Sequence, residues 1–135
     1  MWAARVVGME TYGFTGGPFQ TNTYVIAEGR RAFIVDPGMD AAGKVLEHDL
    51  DYEAIVLTHG HIDHTRDAGT LAAELDIPVY IHPADKFMLD SGEGVSPQAQ
   101  ELFDAAHMTP ISDLRELHDG ETVELIGHTF ELKHA

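Results

Sequence analysis

The feature that most constrains this chain is the segment THGHIDHT at residues 58–65, which directly follows the apolar run at 54–57. A short run without polar residues is typical of a central strand that is covered on both faces. Three histidines and an aspartate are costly to bury unless each side chain has a partner. In α/β proteins, ligand sites form outside the carboxyl ends of such strands. The segment therefore predicts a divalent metal site at the crest of a sheet, the edge at which the carboxyl ends of its parallel strands lie.

The expected directions of the side chains support this prediction. In an extended segment, residues 59, 61 and 63 point the same way because side chains alternate. His59 and His61 then offer two imidazoles to one point, and Asp63 approaches from the same side. His64 follows where the chain turns into a helix. These donors suit Zn²⁺, with Fe²⁺ or Mn²⁺ as alternatives.

The competing interpretation is a chance cluster in a histidine-rich chain. The sequence has nine histidines in 135 residues, so a solvated histidine-rich loop is conceivable. The cluster, however, lies between a buried strand and an amphipathic helix, which is where a ligand site is expected. This position favours the metal site.

The patterns on either side predict a mixed α/β sheet with flanking helices. Strands are expected at 4–7, 23–27, 32–36, 54–57, 78–82, 122–126 and 129–133. Helices are expected at 41–50, after the metal segment, at 83–88 and at 98–106. Asp40 is the expected N-cap of the first helix. The second helix is indicated by Ala68, Leu71, Ala72 and Leu75, which share one helix face.

Length and charge limit the possible classes of protein. A chain of 135 residues is expected to form a single domain. Its 23 acidic and 8 basic residues give a formal charge of −15, which disfavours nucleic acid and anionic membranes as partners. The absence of cysteine excludes disulfides and thiolate metal sites. With no signal segment and no long apolar run, a cytoplasmic protein is expected.

On these residues the chain resembles the metallo-β-lactamase fold superfamily. THGHIDH has the H-x-H-x-D-H signature of that family, and TNTYVI (21–26) and FIVDPG (33–38) are similar to family segments in the same order. YIHPADKFML (80–89) is similar to the glyoxalase II-like, or hydroxyacylglutathione hydrolase-like, branch. The resemblance implies an αββα sandwich. Residues 1–135 would form a single, incomplete domain, the first half of that sandwich.

The resemblance also implies roles for the clustered residues. His59 and His61 would bind a first metal, and Asp63 and His64 a second. In the family a hydroxide that bridges the metals attacks a carbonyl, and Asp63 would orient it as the catalytic residue. Asp36 would lie beneath the metals and steady the ligand imidazoles or the loop.

Three other histidines are candidates for further roles at the metal site. His82 follows a strand and is interpreted as supporting the ligands or the fold rather than binding metal. The family's third histidine lies in a segment like PGHT, near where this sequence stops. His128 is predicted to be a residue of a Gly127-His128 hairpin turn, and His134 is a possible spare ligand. The chain alone is therefore expected to bind metal weakly.

The predicted activity is metal-dependent hydrolysis of a small-molecule thioester, such as a hydroxyacyl conjugate of glutathione. The alternatives on the same ligands are hydrolysis of a lactone, a β-lactam or a phosphodiester, or iron-dependent persulfide oxygenation. A further alternative is a catalytically silent fragment that acts as an interaction module. Half a sandwich would leave one sheet face uncovered, and self-association or pairing with a C-terminal half is then expected.

Overall fold

The structure is a computed structural model that describes residues 10–17, 21–58, 65–83, 111–118 and 120–131. The strands are β1 Glu10–Gly16, β2 Thr21–Glu28, β3 Arg31–Val35, β4 Asp51–Val56, β5 Val79–Ile81, β6 Leu114–Glu116, β7 Thr122–Leu125 and β8 His128–Glu131. The helices are α1 Ala41–Leu46 and α2 Ala68–Leu75. Within these ranges no helix is both long and apolar enough to cross a membrane.

The main sheet has six strands in the order β1-β2-β3-β4-β5-β6. The pairs β1–β2 and β2–β3 are antiparallel, whereas the pairs from β3 to β6 are parallel. The predicted hairpin of β2 and β3 is confirmed, with Glu28 opposite Arg31 and Gly29 at φ +62° in the turn. Because β3 to β6 run in the same direction, their carboxyl ends meet at one edge of the sheet.

The two helices cover one face of this sheet. The apolar core on that face includes Val45 of α1, Leu71 of α2, and Ile34 and Ile55 of the sheet. The predicted amphipathic helix after the metal segment is confirmed, because Ala68, Leu71 and Ala72 are buried. The predicted central strand is also confirmed, since residues 54–57 are buried. This packing fixes the position of the carboxyl end of β4 relative to the two helices.

The β7–β8 hairpin covers the opposite face of the sheet. Phe130 of β8 packs edge-on against Phe33 of β3, with ring centroids 5.2 Å apart. Val35 and Val56 on the same sheet face are 3% and 2% exposed. The prediction of a large uncovered apolar face is therefore wrong for the described part of the chain, where Leu46 is the exposed large hydrophobic residue. The reason is that the last hairpin folds back over its own sheet.

Several predicted boundaries differ from the structure. Helix α1 ends at Leu46 rather than at residue 50. Asp40 has φ +72° and its side chain makes no capping hydrogen bond, so the N-cap prediction is wrong. The last turn is formed by Ile126 and Gly127, both at positive φ, and His128 is the first residue of β8 rather than a turn residue.

Two strands were not predicted, and three predicted elements cannot be compared with the structure. Strands β1 and β6 gave no recognised signal in the sequence. The strand expected at 4–7 and the helix expected at 98–106 lie outside the described residues. The helix expected at 83–88 lies outside them from residue 84 onward.

Candidate metal centre

The predicted metal ligands His59, His61, Asp63 and His64 lie outside the described residues. Their roles, including the catalytic role of Asp63, remain predictions. The spare ligand His134 also lies outside them. In the part of the chain that is described, no three histidine, aspartate or glutamate side chains come together to hold a metal. The structure does describe Thr58 and Thr65, the residues on either side of the predicted ligands.

Three strands bring residues of interest to one edge of the sheet. Asp36, Thr58 and His82 each follow a parallel strand, β3, β4 and β5 respectively. The strands are in register there, because Val35 is paired with Val56, and Leu57 N–H donates to the Tyr80 carbonyl at 2.9 Å. The predicted sheet edge, where the carboxyl ends of the parallel strands lie side by side, is therefore present. Thr58 connects this edge to the ligand segment.

Asp36 fixes the residue that precedes His59. Its Oδ1 accepts a hydrogen bond from Thr58 N–H at 2.7 Å, and its Oδ2 accepts one from the Thr58 hydroxyl at 2.5 Å. The Asp36 carbonyl accepts a third bond, from the Thr23 hydroxyl at 2.8 Å. Asp36 is buried, and two donors to its carboxylate offset the cost of removing that charge from water. Its predicted support of the ligand imidazoles themselves remains a prediction.

His82 lies at the carboxyl end of β5 and is half-buried. Its ring centroid lies 6.4 Å from that of His118, which follows β6 and is exposed. The Leu117 N–H donates to the Ile81 carbonyl at 2.9 Å, which keeps the ends of β5 and β6 together. His82 is thus placed at the same edge as Thr58, and its role in supporting the metal ligands remains a prediction.

The other end of the ligand segment is held by Asp67, which sequence reasoning missed. The Asp67 N–H donates to the Pro37 carbonyl at 3.0 Å, and its Oδ2 accepts from Ala42 N–H at 2.9 Å. Burial raises the pKa of the Asp67 carboxyl above its ordinary value, while the Ala42 amide opposes that shift. The only sequence signal was an aspartate directly before the apolar positions of α2.

The residues present fit a divalent cation. The segment supplies imidazole and carboxylate donors, which are suitable for zinc, iron or manganese. The chain is fixed to the sheet at Thr58 on one side of the segment and to segment 36–42 at Asp67 on the other. Thr65, which follows His64, is 1% exposed, and its Oγ1 has no hydrogen-bond partner in the described structure. A buried hydroxyl in that position is suited to form a hydrogen bond with a polar group of the ligand segment when that segment holds a cation.

Comparison with known proteins decides the family. Residues 16–135 match the sequence profile described as the Metallo-beta-lactamase superfamily. This chain belongs to that superfamily. The predicted metallo-β-lactamase fold is thereby confirmed, with the main sheet, its helices and the β7–β8 hairpin as the part of the fold that this chain supplies.

Three similar proteins show how much of a longer relative this chain spans. An uncharacterized protein of Mycobacterium tuberculosis is 38% identical over 130 residues, which cover 90% of this chain and 58% of that protein. The hydroxyacylglutathione hydrolase GloC of Haemophilus influenzae is 30% identical over 122 residues, covering 86% of this chain and 56% of GloC. The crystal structure of TTHA1623 in a di-iron-bound form has a TM-score of 0.67 and 32% identity, covering 83% of this chain and 56% of that one. The chain thus spans less than two thirds of each relative.

Proposed function

We propose that this chain provides the H-x-H-x-D-H half of a metal-dependent hydrolase that cleaves thioesters of the hydroxyacylglutathione type. The observation that carries the proposal is that Thr58 and Asp67, which lie before and after the proposed ligand segment, are both hydrogen-bonded to segment 36–42. Superfamily membership supports metal-dependent hydrolysis. The thioester class is supported by the similarity to GloC and by the YIHPADKFML segment.

We assign metal binding, orientation of the attacking water and support of the ligand segment to different residues of the chain. A bound divalent cation lowers the pKa of water and polarises an acyl oxygen. His59, His61, Asp63 and His64 are proposed to hold that cation, and Asp63 is also proposed to orient the attacking water. Asp36 supports the segment through Thr58. His82 is proposed to support the ligands from β5.

We expect zinc as the metal, in one or two sites. The di-iron form of TTHA1623 supports iron as the alternative. The four proposed ligands, divided between two metals, give each cation an incomplete set of protein donors. The affinity of this chain alone should therefore be weak, about micromolar.

A thioesterase assay tests the activity. The chain is assayed against lactoylglutathione with and without zinc, and with the segment of the M. tuberculosis relative that lies beyond its similarity to this chain. We expect little turnover alone and restored, zinc-dependent turnover with the added segment. If the combined protein binds zinc but does not cleave lactoylglutathione, while cleaving a lactone or a β-lactam, the thioester proposal is wrong. Oxygen consumption with iron would instead indicate an oxygenase.

The β7–β8 pair supports a proposal about partners. It forms a two-stranded sheet, and within the described residues neither strand has a second neighbour. An exposed strand edge pairs readily with further strands. We therefore propose that a C-terminal half, or a second copy, adds strands here, and light scattering of the purified chain tests the second possibility. A cytoplasmic location, and the absence of nucleic acid and membrane partners, remain sequence predictions.

A further inference from the structure

We infer that Asp67 is a positioning residue of the metal centre, which together with Asp36 ties both ends of the ligand segment to one short piece of chain, residues 36–42. The inference rests on the proposed metal site at 59–64. It assigns to Asp67 a role that neither its sequence position nor the predicted ligand set suggests. Its basis is the set of contacts on the two flanks of the ligand segment.

The amino-terminal flank is held at Thr58. Both donors of this residue, its N–H and its hydroxyl, bond to the carboxylate of Asp36 at 2.7 and 2.5 Å. Asp36 N–H in turn donates to the Val56 carbonyl at 3.2 Å. The start of the ligand segment is therefore fixed to the first residue of segment 36–42.

The carboxyl-terminal flank is held at Asp67. Its backbone N–H donates to the Pro37 carbonyl at 3.0 Å, and its carboxylate accepts from Ala42 N–H at 2.9 Å. The Asp67 side chain is 13% exposed, and Arg66 Nη1 lies 3.8 Å from its Oδ1. The end of the ligand segment is therefore fixed to the second and the last residues of segment 36–42.

The Asp67 carboxylate makes a different hydrogen bond from that of an ordinary N-cap aspartate. Asp67 occupies the N-cap position of α2, where an aspartate ordinarily accepts a bond from its own helix. It makes no such bond and instead caps α1 through Ala42. A local helix cap is thus replaced by a contact between two elements.

Segment 36–42 is itself held in place, so it can act as a fixed reference for both flanks. The Thr23 hydroxyl donates to the Asp36 carbonyl at 2.8 Å and accepts from Gly38 N–H at 3.3 Å. Ala41 N–H donates to the Gly38 carbonyl at 3.2 Å. With both ends of the ligand segment fixed, fewer conformations have to be given up when a cation binds. Loss of the Asp67 contact should therefore weaken metal binding.

The test compares Asp67→Ala and Asp67→Asn with wild type by cobalt titration of the 135-residue chain, followed by the visible absorption of bound Co²⁺. Asparagine keeps an oxygen that accepts from Ala42 N–H, whereas alanine does not. We expect Asp67→Ala to weaken cobalt binding about tenfold or more, and Asp67→Asn to restore most of it. Glu53→Gln serves as the control, because Glu53 binds Arg31 and Ile126 rather than segment 36–42.

A second measurement uses the reciprocity of coupled equilibria. If the Asp67–Ala42 contact strengthens metal binding, metal must strengthen that contact. Zinc should therefore slow amide hydrogen exchange at Ala42 in the wild-type chain. This measurement decides the inference if Asp67→Ala does not fold.

The outcomes separate this inference from the proposed function. A wild-type chain that binds no cobalt overturns both. A wild-type chain that binds cobalt, with Asp67→Ala binding equally well, overturns the role of Asp67 alone. So does an equal loss of affinity in Glu53→Gln, because the effect would then follow stability. Exchange at Ala42 that is unchanged by zinc likewise overturns it.

Discussion

At the scale of single residues, Asp36 combines an unusual backbone conformation with two side-chain contacts. Its φ of +53° lies in the left-handed region, which aspartate and asparagine adopt more readily than alanine. Its carboxylate accepts both donors of Thr58. The sequence indicated a role for this aspartate through the FIVDPG segment, but the identity of its partner depends on the pairing of β3 with β4.

The first prediction concerns replacement of Asp36. Asp36→Ala removes both acceptors and places alanine at a positive φ, so we expect it to lower the free energy of unfolding by about 3 kcal/mol. Asp36→Asn keeps one acceptor oxygen and tolerates the backbone, so it should cost less. Urea denaturation of the two variants measures the difference. Equal stabilities would show that Thr58 is held by other contacts.

A second residue-scale prediction concerns Tyr52, whose hydroxyl donates to the Val45 carbonyl at 2.9 Å near the end of α1. Tyr52→Phe should lower the free energy of unfolding by about 1 kcal/mol. Burial raises the pKa of Tyr52 from 10.0 to about 12. The folded chain thus holds this proton more tightly than the unfolded chain, and its stabilisation is complete below pH 10 and lost between pH 10 and about 12. Denaturation across that range should show a loss in wild type that Tyr52→Phe lacks.

At the scale of elements, strands and helices with a strong local pattern were predictable. Strand β4 has a continuous apolar run, and α2 places its apolar residues on one face. Strand β1 contains two glycines and has little apolar alternation, so it is defined by its pairing with β2. Strand β6 is a short, largely exposed edge strand defined by pairing with β5. Tertiary pairing, which local sequence does not encode, forms these two strands.

The third prediction concerns the attachment of the β7–β8 hairpin to the sheet. Glu53 Oε1 accepts from Ile126 N–H at 2.9 Å, and Arg31 Nε lies 2.5 Å from Glu53 Oε2. Glu53→Gln should lower the free energy of unfolding at neutral pH by about 1 kcal/mol. Glu124→Gln, at an exposed position of β7, is the matched control and should change little.

The same contact should make hairpin attachment depend on pH. The hydrogen bond from Arg31 holds the pKa of Glu53 below its ordinary value of 4.5. The folded state therefore binds this proton less tightly, so the stabilisation is present above pH 4.5 and is lost as pH falls through the lowered pKa. The stability difference between wild type and Glu53→Gln should shrink over that range. A difference that stays constant down to the most acidic pH would contradict the ion pair.

At the scale of the whole molecule, the sequence predicted the strand that leads to the proposed site but not the contacts that hold the two flanks of the ligand segment. The donor set and its place after β4 follow from one contiguous segment. The contact of Asp67 with Ala42 joins residues 25 positions apart, and no local pattern encodes it. The prediction of an uncovered sheet face was wrong for a related reason. The position of the β7–β8 hairpin depends on contacts between distant residues, such as that of Phe130 with Phe33.

The most direct measurement is a calorimetric zinc titration of the chain beside a variant in which His59 and His61 are both changed to alanine. Wild type should bind zinc with about micromolar affinity, and the double variant should lose that binding while keeping its fold by circular dichroism. Zinc binding that is equal in the two proteins would place the metal away from the crest of β4 and contradict the central claim.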